Sequence, residues 1–154
     1  MKHFNPLNSF GAFKTPLFQK ISFSVLAILL AFSSLNAQTA TIKTEEVHFE
    51  KGTSGTFIES SIKGEQIVDY KINVRKGQYM NVSMVTDNTA NYFNIMEPGE
   101  EYVAIYNSSM DENMYEGELA ESGDYTIRVY LMRSAARRNE KANFKLEINV
   151  SSGD

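Results

Sequence analysis

The sequence predicts an all-β fold: an antiparallel β-sandwich of about eight strands, jelly-roll-like, formed by residues 38–154 behind an export segment. Apolar residues alternate with a period of two along almost every segment after residue 46. Turn residues interrupt that alternation at short intervals, as they do in sandwiches and barrels. A basic and then apolar N-terminus separates residues 1–37 from the rest.

The targeting segment comes first. Lys2, Lys14 and Lys20 are its only charged residues, and the apolar run Ile21–Phe32 follows them. That run is shorter than the roughly 20 residues of a membrane-spanning helix and suits the core of a signal peptide. Leu35 and Ala37 then occupy the −3 and −1 positions of a peptidase site, so cleavage is expected before Gln38. No cysteine is present to carry a lipid anchor. The expected product is a soluble periplasmic or secreted protein of one domain's length, off the membrane once the signal is cleaved.

The strands follow in order. Val47 and Phe49 alternate before a turn at 51–55, and Phe57–Ile62 ends at Gly64. Val68, Tyr70, Ile72 and Val74 alternate with Asp69, Lys71 and Asn73 up to Lys76-Gly77. Met80, Val82 and Met84 repeat the pattern to Asp87-Asn88, and Tyr92–Met96 stops at Glu97-Pro98-Gly99. Val103–Tyr106 ends at Asn107-Ser108-Ser109, and Tyr115–Leu119 precedes Ser122-Gly123. Tyr125, Ile127, Val129 and Leu131 form the most regular strand, and Phe144, Leu146, Ile148 and Val150 the last. Such alternation gives each sheet one buried and one wet face. Residues 133–140 are the one stretch with helical character. They are too few to be stable alone and read as a long loop or a single turn. Residues 38–44 and 151–154 read as loose tails.

Composition excludes several functions. Removing residues 1–37 leaves twelve basic against nineteen acidic groups, a net charge of −7, which disfavours nucleic acid and favours cationic partners. Without cysteine there is no disulfide, thiolate metal site or cysteine nucleophile. One histidine, His48, remains, so a histidine metal cluster is impossible; no serine elbow accompanies it, and it reads as a solvated strand residue. Glu97, Glu100, Glu101, Asp111 and Glu112 lack the calcium-loop pattern and read as an acidic rim. No catalytic residue, metal or cofactor is expected.

Two loops carry more. Ser122-Gly123-Asp124-Tyr125 enters the most regular strand. As structure it is an ordinary turn; as function it presents a hydroxyl and a phenol at the sandwich edge. Arg133-Ser134-Ala135-Ala136-Arg137-Arg138-Asn139 packs three arginines into an acidic protein and exceeds the two to five residues a strand connection needs. Arginine's planar fork matches carboxylates as well as phosphates, and a carboxylate partner fits the net charge.

The strings Asn91–Gly99, Ser122–Arg133 and Ala135–Arg138, in this order, resemble the bacterial periplasmic inhibitors of g-type lysozyme. A Ser-Gly-x-(x)-Tyr motif is shared with the inhibitors of i-type and c-type lysozymes. The resemblance spans roughly Val47 to Val150. It implies a β-sandwich of about eight antiparallel strands without catalysis, whose loops plug a lysozyme's active-site cleft and protect peptidoglycan. Carried over to this chain, it implies partner-binding roles for Ser122, Gly123 and Tyr125, and for Arg133, Ser134, Arg137 and Arg138. The expected partner is lysozyme, g-type favoured, and the protein a monomer or weak dimer. Asn91–Gly99 reads as scaffold.

Two other functions make different structural demands. A glycan-binding or accessory jelly-roll module would line a groove with exposed aromatics, with Tyr102, Tyr106 and Tyr115 as candidates. A hydrolase would pair carboxyls from Glu97, Glu101 or Glu112 in a cleft, about 5–9 Å apart. The export reading has its own test: mass spectrometry of envelope extracts should find a product beginning at Gln38. A product retaining Met1, or a lipid-sized mass increment, would contradict it.

Overall fold

The computed structural model describes residues 40–152; residues 1–37, expected to be an export segment, lie outside the described residues. Nine strands form two sheets: β1 (Thr41–Glu46), β2 (Gly55–Lys63), β3 (Gln66–Val74), β4 (Tyr79–Thr86), β5 (Asn91–Met96), β6 (Ala104–Asn107), β7 (Met114–Glu118), β8 (Gly123–Leu131) and β9 (Lys141–Ser151). One sheet has the order β1-β3-β8-β5-β6 and the other β2-β9-β4-β7. Setting β1 aside, the eight remaining strands have the strand order of a jelly roll. The sandwich, and the strands from β2 to β9, are those the alternation predicts.

The core lies between the sheets and is filled by the alternating residues. Tyr70 and Ile72 from β3 and Tyr125, Ile127 and Val129 from β8 face Met80, Val82, Leu146 and Ile148 from the opposite sheet; all are at most 3% exposed. β8 is central: it pairs antiparallel with β3 on one side and β5 on the other. A one-residue slip there would bring Thr126, Arg128 and Tyr130 into the core and expel four apolar side chains, so burial fixes its register.

The N-terminal strand differs from expectation. Residues 41–44, expected to be a loose tail, belong to β1, which pairs with β3 in parallel, the one non-antiparallel pair among the described strands. Thr41, Ile42, Lys43 and Thr44 are exposed, so the strand rests on backbone pairing rather than on buried apolar area, and no alternation marks it. The expected first strand, Val47 to Phe49, is irregular chain whose two apolar residues still pack on the core while His48 stays exposed.

One polar contact ties the outer face of the five-stranded sheet together. Asp69 on β3 sits opposite Arg128 on β8. Arg128 donates through Nε and Nη2 to the two carboxylate oxygens of Asp69, each at 2.7 Å. Its Nη1 donates to the carbonyl of Glu101 at 3.2 Å, holding the β5–β6 loop to the sheet. The hydrogen bonds that Arg128 donates to Asp69 raise its pKa. The side chains are 20% exposed for Arg128 and 8% for Asp69, so removing one partner strands a largely shielded charge.

Asp69→Ala should therefore destabilise the fold by about 2–4 kcal/mol, whereas the paired change Asp69→Leu with Arg128→Met should recover most of the loss. Chemical denaturation of the three forms checks this. A double variant as unstable as Asp69→Ala, or less stable, would show that the stranded charge is not the source of the loss.

Candidate functional site

The seven residues expected to contact a partner do not form one site. Ser122 and Gly123 lie at the start of β8, and Arg133, Ser134, Arg137 and Arg138 just beyond its end. A nine-residue strand at roughly 3.3 Å per residue puts the two groups roughly 25 Å apart. They occupy opposite ends of the sandwich.

At the first end, the Ser-Gly-Asp-Tyr turn is a clasp. The Ser122 hydroxyl oxygen accepts the backbone N–H of Lys76 at 2.9 Å, joining the β7–β8 turn to the β3–β4 turn. Gly77 donates to the Leu119 carbonyl at 2.9 Å and Leu119 donates to that of Gln78 at 2.8 Å. Gly123 has φ +139°, and a Cβ there would meet the Pro98 side chain at 2.9 Å, so the glycine is required twice over. Tyr125 is fully buried, and its hydroxyl accepts the Glu121 N–H at 3.2 Å. Its ring lies in the core and offers a partner no surface. The expected phenol at an exposed edge is thus a brace that shapes the turn from inside. Ser122 alone of the three presents an exposed polar side chain, with its acceptor capacity partly used.

At the second end, Arg133–Arg137 form a short helix, α1, so the stretch expected to be a loop or single turn is one helical turn with a tail. Nothing in its sequence stabilises it alone: Met132 at the N-cap makes no side-chain capping bond, and the first turn has no acidic residue. Tertiary contacts hold it. Ala135 and Ala136 are buried at 0% and 5% exposure, small enough to seat the helix on the end of the core. Met132 donates to the Ala90 carbonyl at 2.8 Å, and Gly64 donates to that of Glu140 at 2.9 Å. Asn139, at φ 56°, makes the left-handed exit common after a helix, and its side-chain oxygen would lie 2.7 Å from a Cβ added at Gly64.

With the alanines buried, Arg133, Ser134, Arg137 and Arg138 are exposed on the outer surface. Arg138 is engaged: its Nε donates to Glu140 Oε1 at 2.7 Å and its Nη2 lies 2.6 Å from the same oxygen. Glu140 also accepts from the Asn88 side-chain amide at 2.9 Å. Among the described residues Arg133 and Arg137 make no ion pair. The sequence marks these three arginines equally; the fold separates two available forks from one serving as a strut.

The other two functions find little support. Tyr106 and Tyr115 are half-buried, 5.2 Å apart between ring centroids, and Tyr106 stacks on Phe93 at 5.6 Å. Tyr106 donates its hydroxyl to the carbonyls of Glu112 and Met114. Of the three candidate aromatics only Tyr102 is largely exposed, at 91%. Glu101 and Glu112 are exposed, whereas a general-acid carboxyl needs shelter from water. No group of His, Cys, Asp or Glu among the described residues could hold a metal ion. The contact that the sequence reading missed is Asp69–Arg128; its only signal was opposite charge at outward positions of two strands, useless until their pairing is known.

A jelly-roll sandwich with a turn braced from inside by the buried Tyr125 and an arginine-bearing helix at its far end defines the class, a small jelly-roll domain. The chain is 30% identical to the Aeromonas hydrophila PliG crystal structure, a periplasmic lysozyme inhibitor of g-type lysozyme, with a TM-score of 0.67 over 71% of this chain and 97% of that one. The Salmonella Typhimurium PliG structure gives 29% identity and a TM-score of 0.58 over 71% and 98%. The inhibitor of g-type lysozyme of Escherichia coli K12 is 28% identical over 132 residues, 80% of this chain and 93% of that one. No protein-family model matches the chain. The chain belongs to the PliG family, whose members are inhibitors and not enzymes.

The strut at α1 has a pH signature. Hydrogen bonds from Asn88 and Arg138 hold the Glu140 carboxyl below its ordinary pKa of 4.5. The stabilisation is therefore complete above the unfolded value and is lost only as pH falls through the lower folded one. The Asn88 side-chain amide resonance should stay fixed down to pH 4.5 and move below it, and Glu140→Gln should abolish that movement. A midpoint above 4.5 would contradict the strut.

Proposed function

We propose that this chain is an exported inhibitor of g-type lysozyme, processed before Gln38, and that it docks through the α1 end of the sandwich. Membership of the PliG family supports the target. The observation that carries the docking end is the pair Arg133 and Arg137: exposed guanidinium forks without an ion pair among the described residues, on a helix whose buried alanines fix its seat. The opposite turn has spent its phenol, and part of its serine, on holding itself together.

Lysozymes cleave peptidoglycan with a cleft carboxyl as general acid. A cationic fork entering that cleft would pair with the carboxylate and withhold it from catalysis. Ser134, beside Arg133 and exposed, adds a hydroxyl able to donate or accept. Net negative charge steers the domain toward a cationic enzyme, while the local positive end supplies the docking contact. Burial of Ala135 and Ala136 limits the conformational entropy lost on binding.

The test is inhibition of peptidoglycan lysis by purified g-, c- and i-type lysozymes, with a thermal melt of every variant. The wild-type protein should inhibit the g-type enzyme at one-to-one stoichiometry and release no muropeptides itself. Arg133→Ala or Arg137→Ala should cost about 2–5 kcal/mol of binding if its fork meets the cleft carboxylate. Arg138→Ala should act mainly by loosening α1, and Ser122→Ala should remove one neutral hydrogen bond worth about 0.5–1.5 kcal/mol of stability. Normal folding and undiminished inhibition in both Arg133 and Arg137 variants would refute α1 as the docking end.

A further inference from the structure

The free edge formed by β6 and the loop before it lies outside this reading. β6 ends its sheet, so its outer edge carries no strand among the described residues. Tyr102, Val103, Ile105 and Met110, on and beside it, are 91%, 64%, 43% and 85% exposed. Open edges with apolar side chains are templates for strand addition, which proteins blunt with short strands, bulges, lysine or proline; β6 is only four residues long and its ladder with β5 shifts register at Ile95/Met96, but residues 102–110 contain neither lysine nor proline. The edge is also firmly held, because Arg128 ties Glu101 to the sheet and Tyr106 is anchored inside the sandwich.

Charge selects what can pair there. Glu100 and Glu101 precede the apolar stretch and Asp111 and Glu112 follow it, all exposed. From residue 77 to residue 127 the chain has ten acidic residues and no lysine or arginine. A second copy adding antiparallel would set one acidic pair against the other, and such like-charge juxtaposition disfavours self-pairing. We infer that β6 is a strand-addition site for an extended protein segment with apolar residues at its centre and lysine or arginine at both ends. Backbone pairing would supply affinity, the apolar side chains would cover Val103 and Ile105, and the flanking cations would meet the two acidic pairs.

The test uses the processed protein, ¹⁵N-labelled, and two synthetic peptides: a valine–threonine repeat flanked by lysine pairs, and the same repeat flanked by glutamate pairs. The lysine peptide should shift the amide resonances of residues 102–107 and slow their hydrogen exchange, and the glutamate peptide should bind at least about ten-fold more weakly. Ile105→Lys, a surface change checked by thermal melt, should abolish the response. No response at 102–107, equal binding of both peptides, or self-association through 102–107 without peptide would each overturn the inference. None of these outcomes depends on lysozyme inhibition, which the lysis assay measures separately.

Discussion

The register of β8 governs this molecule. Tyr125, Ile127, Val129 and Leu131 must face the opposite sheet, which sends Thr126, Arg128 and Tyr130 to the outer face and fixes where the chain enters and leaves the strand. The proposed lysozyme contact hangs from those two ends. The entering end is pulled tight by Tyr125, whose hydroxyl reaches back to Glu121, and the leaving end delivers the chain into α1. Arg128, midway along, binds Asp69 and so locks β8 to β3 from the outside while the core locks it from within.

This arrangement separates two jobs that the sequence runs together. Ser122 to Arg138 is one nearly continuous stretch and reads naturally as one binding region. A strand between its ends makes that impossible: residues on the turn and on the helix face opposite ends of the sandwich. The turn's side chains serve structure first, with Ser122 accepting from Lys76, Gly123 packed on Pro98 and Tyr125 enclosed. The helix is the reverse case. Its small residues are buried, and its charged ones remain outside.

Most of the fold was legible because alternation is a direct record of one-sided burial. Val68 to Val74, Met80 to Met84 and Tyr125 to Leu131 lie in β3, β4 and β8 with inward faces as read. β1 was not legible, since its Thr-Ile-Lys-Thr-Glu-Glu sequence buries almost nothing and is a strand only because the edge of β3 is there to pair with. The site was legible as composition but not as geometry. Three arginines in an acidic domain are conspicuous, yet only the fold shows that Arg138 is tied to Glu140 while Arg133 and Arg137 stand free of ion pairs among the described residues. The phenol of Tyr125 carried the opposite lesson: the alternation that marks it as inward-facing also says that it cannot reach a partner.

In the proposed complex the α1 end, and not the Ser122–Gly123 turn, meets lysozyme. Hydrogen exchange of the inhibitor, free and bound to a g-type lysozyme, tests it most directly. Protection confined to residues 132–140 and the neighbouring 64–66 and 87–90 turns, with 119–124 unchanged, is the predicted result. Protection at 119–124 and 75–78 with 132–140 unchanged would contradict it.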